Sequence, residues 1–134
     1  MQITLEADYA IRIVYCLASN PGRMDAKTIA EKTQVTLRFS LKILRKLVAS
    51  GIIKSYKGTQ GGYEVARPLE EISMNDVIEA VSGPVVISRC VKKDYACPRQ
   101  QEERCQCKFQ KIFDEISVMV QDKLDAVRFS ELVK

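Results

Sequence analysis

TLRFSLKILRKLVASG (residues 36–51), running straight into IIKSYKGTQGGYEVA (residues 52–66), is the stretch whose reading decides the fold. Thr36 is a good N-cap, and the spacing predicts a helix from there through Ser50. Leu37, Leu41, Leu44, Leu47 and Val48 recur at three- and four-residue intervals and form the expected buried stripe. Gly51 supplies the stop. Arg38, Lys42, Arg45 and Lys46 cannot all join that stripe, so they should project toward solvent or a ligand. Beyond the stop, Ile52–Tyr56 and Tyr63–Ala66 read as two short strands around the glycine-rich tip Lys57–Gly62, a hairpin.

Outward from this core, residues 4–19 read as an amphipathic helix with Ala7, Ala10, Ile11, Val14 and Leu17 on one face. Asn20-Pro21-Gly22 ends it. Cys16 lies within the apolar pattern and is expected to behave as a small buried hydrophobe. Asp25 can cap a second short helix that turns Ile29 and Ala30 inward and ends near Gln34. Downstream, Ser73-Met74-Asn75-Asp76 has the form of a capping box and predicts a helix to Val81, stopped at Gly83-Pro84. A last helix from about Lys108 shows Phe109, Ile112, Phe113, Ile116, Met119, Val120, Leu124 and Val127 at helical spacing.

Two short helices, a basic helix and a glycine-tipped hairpin, in that order, make a winged helix–turn–helix. The expected fold class is therefore mainly α with a small β-hairpin wing, extended by a long C-terminal dimerisation helix. The expected organisation is a DNA-binding unit over 1–83, a cysteine-rich loop over 84–107 and a dimerisation helix with its tail over 108–134. One small winged helix offers little surface to cover the last helix's apolar face. Exposing such side chains is costly at about 25 cal/mol per Å², so a second copy of the chain is the expected partner, and a homodimer would present two recognition helices to a palindromic site.

Charge is distributed unevenly. The 134 residues carry 21 Lys and Arg against 17 Asp and Glu, a modest net of +4. From Lys32 to Tyr63, however, there is no acidic residue. A solvating face normally mixes both signs, whereas a one-signed patch is the footprint of phosphate binding. Double-stranded DNA is the expected partner. Arg38, Lys42 and Arg45 lie on one side of the basic helix, Thr36 at its start can meet a phosphate, and Lys57 sits at the wing tip beside glycines that allow close approach.

Four of the five cysteines, Cys90, Cys97, Cys105 and Cys107, fall in one short segment, and the chain has no histidine. Thiolates this dense can hold a metal or an iron–sulfur cluster, or form disulfides. Structural zinc normally takes paired C-x2–4-C knuckles, and the spacing here is C-x6-C-x7-C-x-C. The absence of histidine, of a nucleotide-binding glycine loop and of a nucleophile–base pattern argues against an enzyme. No apolar run approaches the ~20 residues of a membrane span. The N-terminus lacks a signal-peptide layout, so a cytoplasmic location is expected.

The segment Ile3-Thr4 to Ala18, the helix end Leu44-Arg45-Lys46-Leu47 with Ser50-Gly51-Ile52-Ile53, the wing Lys57-Gly58-Thr59-Gln60-Gly61-Gly62-Tyr63, and cysteines following a Gly-Pro together resemble the Rrf2 family of bacterial winged-helix regulators. The resemblance spans essentially the whole chain. It implies a transcriptional regulator, commonly a repressor, with Gly61, Gly62 and Tyr63 joining Lys57 in the wing that meets DNA. It also implies one 2Fe–2S or 4Fe–4S cluster per subunit, sensing iron, oxygen or nitric oxide. Cluster-binding members use three loop cysteines. Some add a histidine after the third, impossible here; others add an aspartate from the partner's first helix, and Asp8 and Arg12 stand at the matching places. By register, Cys90, Cys97 and Cys107 match the three, with Cys105 an alternative third or an extra ligand. A cluster-free thiol- or metabolite-responsive regulator and a zinc-stabilised DNA binder stand as alternatives.

Overall fold

The computed structural model describes residues 2–92, 95 and 107–134. Helix α1 spans Leu5–Ser19. Thr4 caps it, its Oγ1 accepting from the Ala7 amide at 3.1 Å, and Glu6 and Asp8 in the first turn complement the helix dipole. Asn20 closes it by donating its side-chain amide to the Cys16 carbonyl at 2.7 Å. Helix α2, Ala26–Thr33, starts under the Asp25 cap and ends at Gln34, which takes a left-handed conformation to bond back to Ala30. Helix α3, Leu37–Ala49, is capped by Thr36.

The buried side of α3 is Ser40, Ile43, Leu44 and Leu47. Leu37 and Leu41, expected in the core, are 45% and 40% exposed. Both sets fit helical spacing. The buried phase takes in the small, fully buried Ser40 and so lies round the helix from the phase that counting leucines gives.

Strands β1, Ile53–Tyr56, and β2, Gly62–Val65, pair antiparallel with Ile53 opposite Val65 and Tyr56 opposite Gly62. Met24 adds a bridge outside them, exchanging both backbone hydrogen bonds with Tyr63 at 3.0 and 2.8 Å. Gly62 sits where this bridge passes. Its φ is +140°, and a Cβ there would lie 2.7 Å from the Met24 carbonyl oxygen, so only glycine fits. A methyl on Gly61 would collide with the Tyr56 carbonyl. The wing's glycines thus have an internal reason for being glycines.

Helix α4, Met74–Ser82, begins with the expected capping box, Ser73 and Asp76 each accepting the other's backbone amide hydrogen. Helix α5, Lys108–Ala126, ends one residue short of Val127, and the chain then turns into the short α6, Phe129–Leu132. Here the C-terminus returns to the N-terminal half. Met74 donates to the Val127 carbonyl, Phe129 donates to the Ile72 carbonyl, and the Phe129 ring is fully buried in the core, where α6 packs on α1 and on the turn Leu69–Glu71. Nothing in the local pattern foretells this closure.

On α5, Ser117 alone is fully buried, accepting from the Ile87 amide and donating to the Phe113 carbonyl. Phe113, Val120 and Leu124 are half-buried, while Phe109, Ile112, Ile116 and Met119 stand in solvent. The expected apolar face is therefore real and split. One edge packs on α4, and the other is left bare by the single chain.

Candidate nucleic-acid interface and cysteine site

Arg38, Lys42 and Arg45 are exposed on the outer face of α3, with Thr36 exposed at its start and Lys57 exposed at the hairpin tip. Arg38, Arg45 and Lys57 have no ion-pair partner among the described residues. Lys42 does. It donates to Glu6 Oε1 at 2.8 Å, and Lys46 donates to Glu6 Oε2 at 2.9 Å and to the Val81 carbonyl. Lys42, and after it Lys46, hold the Glu6 carboxyl below the usual carboxylate range. The cations on the outer face of α3 are therefore of two kinds, arginines without an ion-pair partner among the described residues and a lysine already engaged by α1.

The wing is braced from the other side. The Arg23 guanidinium stacks 3.5 Å from the Tyr56 ring centre and donates to the Gln60 carbonyl at 3.3 Å. Tyr56 in turn donates to Glu64 at 2.6 Å, which raises its hydroxyl pKa. Tyr63 turns toward the core and is half-buried, while Gly61 and Gly62 are half-buried by the packing described above. Sequence patterns gave no sign of Arg23, because the clamp joins positions far apart in the chain.

Of the cysteines, Cys90 and Cys107 lie among the described residues; Cys97 and Cys105 lie outside them. Gln110 draws the two described positions together. Its side-chain amide donates to the Cys90 carbonyl at 2.9 Å, and its backbone amide faces Cys107 Sγ at 3.5 Å, where Cys107 caps α5. Ser88 Oγ lies 3.1 Å from Cys90 Sγ. Asp8 is on α1, half-exposed and paired with Arg12 at 2.8 Å. Among the described residues no three Cys, Asp or Glu side chains converge on one point. Cys16, apart from all of these, is buried with its sulfur 3.9 Å from Met24 Sδ, and burial pushes its thiol pKa up, which keeps it protonated and inert.

The family model described as Rrf2, an iron-dependent transcriptional regulator, matches residues 3–134. The chain belongs to the Rrf2 family. Among its relatives, protein rrf2 of Nitratidesulfovibrio vulgaris is 25% identical over 136 residues, covering 100% of this chain and 88% of that one. CymR (YrzC), the global cysteine regulator of B. subtilis, superposes with a TM-score of 0.76 at 23% identity, covering 99% of this chain and 96% of that one. IscR of T. potens superposes at 0.79 and 18% identity, covering 99% and 86%. At these identities the two structures speak for the fold alone. This Rrf2 chain is a DNA-binding transcriptional regulator with a winged helix, not an enzyme. None of its described helices is long and apolar enough to cross a membrane.

Proposed function

We propose that this Rrf2 chain is a homodimeric repressor whose grip on a palindromic operator answers to the state of an iron–sulfur cluster held at the start of α5. The supporting observation is the Gln110 bridge, which holds the Cys90 and Cys107 positions at one end of the long helix. Soft thiolates are the donor set that such a cluster takes, and Cys97, Cys107 and Cys90, with Cys105 in reserve, supply enough of them. Asp8 is the proposed carboxylate ligand from the partner subunit; Arg12 meets its Oδ2, which leaves Oδ1 to ligate. When bound, the cluster supplies a centre that iron supply, oxygen or nitric oxide can alter.

The chain's own residues do the rest. The bare edge of α5 takes the same edge of a second copy, and Arg38, Lys42 and Arg45 meet successive major-groove segments. Thr36 and Lys57 fix the register on phosphates, with Gly61, Gly62 and Tyr63 holding the wing that carries Lys57. A change at the loop becomes a switch only through different DNA affinities of the two forms.

A cluster-free thiol-responsive regulator is the second reading. It is favoured by the extra cysteine in the Cys105–Cys107 pair. Anaerobic purification, followed by an absorbance spectrum and iron, sulfide and zinc assays, separates the readings. A coloured protein with iron and sulfide supports the cluster. A colourless one whose DNA affinity follows thiol oxidation supports the second reading, and stoichiometric zinc removes both. Asp8→Ala is expected to shorten the cluster's lifetime in air; an unchanged decay removes Asp8 as a ligand.

A further inference from the structure

We propose that Leu37 and Leu41 read thymine in the operator, by packing on the C5-methyl groups that thymine projects into the major groove. The inference rests on α3 being the helix that enters the groove, and it names which bases that helix selects.

The outer face of α3 is not uniformly cationic. Leu37 and Leu41, one turn apart, are 45% and 40% exposed, and with Arg38, Lys42 and Arg45 they line one continuous surface. The core side of the helix is already filled by Ile43, Leu44 and Leu47, so these leucines add nothing to it. A lone exposed leucine needs no explanation. Two on successive turns, both in the half of the helix that makes base contacts in this architecture, do.

Whatever covers this surface must be apolar opposite the leucines and anionic around them. A protein surface would have to bring acids for Arg38 and Arg45, since of the three cations only Lys42 already has one, Glu6, and burying the arginines unpaired is costly. A second copy of the chain offers no such acids on its own α3, where the sequence from Lys32 to Tyr63 has none. A major groove offers both features at once, phosphates along its rims and methyl groups on its floor. Leucine has neither donor nor acceptor, so it gains nothing from an adenine or guanine edge, and against cytosine it would strip water from an amino group without replacing it. Side chains one helical turn apart lie about 5–6 Å from each other, so the thymines read should be one or two base pairs apart in each half-site.

The test uses the full chain and duplexes selected by it from a random pool. Every thymine of a selected duplex is replaced in turn by deoxyuridine, which removes one methyl and nothing else. The expected result is a loss of about fourfold in affinity at one or two positions per half-site, the worth of one buried methyl. Leu41→Ala, a change that favours helix, should lose a similar factor on the thymine duplex and nothing further on the matching uridine duplex, because both changes remove one contact. Its salt slope should not change, since no phosphate contact is lost.

Uridine replacement without effect, or a Leu41→Ala protein as uridine-sensitive as the unaltered one, overturns the proposal. So does conversion of a dimer to a monomer in Leu37→Ala/Leu41→Ala, which would make the leucines a subunit contact. If the pool yields no bound duplex at all, the placing of α3 in a groove fails first, and this inference with it.

Discussion

Among the described residues Glu6 is the one acid set against the cations of α3, and it holds two of them at once. Because Lys42 and Lys46 lower its pKa, its folded value lies below its unfolded one. Its contribution is therefore complete above the unfolded value and is lost as pH falls through the folded one. Glu6→Gln should lower stability by about 0.5–1 kcal/mol at neutral pH, the scale of partly exposed ion pairs. The deficit should narrow as pH falls through the ordinary carboxylate range and close once the native carboxyl, held below that range by Lys42 and Lys46, is itself protonated. Urea titrations at several pH values measure this. The same change frees Lys42 for phosphate, so the salt dependence of DNA binding should steepen by about 0.9 in log–log slope. Asp8 and Arg12, two turns' worth of residues away or less, were visible in the sequence as a pair of charges. That they salt-bridge each other at 2.8 Å was not.

At the scale of elements, most boundaries followed from caps. Thr4, Asp25, Thr36 and Ser73 each accept the amide that their type and position imply. Ser73 does more than cap α4, since its Oγ also donates to Asp125 on α5 at 3.0 Å. Ser73→Ala should therefore cost about 1–2 kcal/mol, the upper range for a cap because a second element loses a partner with it. Chemical denaturation of the variant against Glu79→Ala, an exposed position farther along the same helix, checks the figure. The phase of α3 was not legible. Ser40, fully buried, belongs to the core by size and to the surface by chemistry. Composition therefore favoured the leucines, and tertiary contact chose the serine. The wing was legible as a hairpin, yet the reason Gly62 must be glycine lies in Met24, on a segment nearly forty residues earlier.

For the molecule as a whole, the bare edge of α5 is an apolar surface that the single described chain leaves uncovered. Phe109 and Met119 are 67% and 69% exposed, with Ile112 between them. Ile112→Glu/Met119→Glu should yield a monomer by sedimentation and weaken operator binding by at least tenfold, because one recognition helix in place of two forfeits the linked second half-site. The monomer should keep its native circular dichroism, since neither residue is buried in the single chain.

The sequence by itself determined the element order, the caps, the hairpin and the one-signed charge between Lys32 and Tyr63, because these depend on neighbours within a turn or two and on composition. Only the tertiary structure decided which leucines face water, that Glu6 engages Lys42, that Gln110 joins the Cys90 and Cys107 positions, and that Phe129 closes the core. Each of those is a contact between segments distant in the chain. Its free energy comes from burial and pairing that no local pattern encodes.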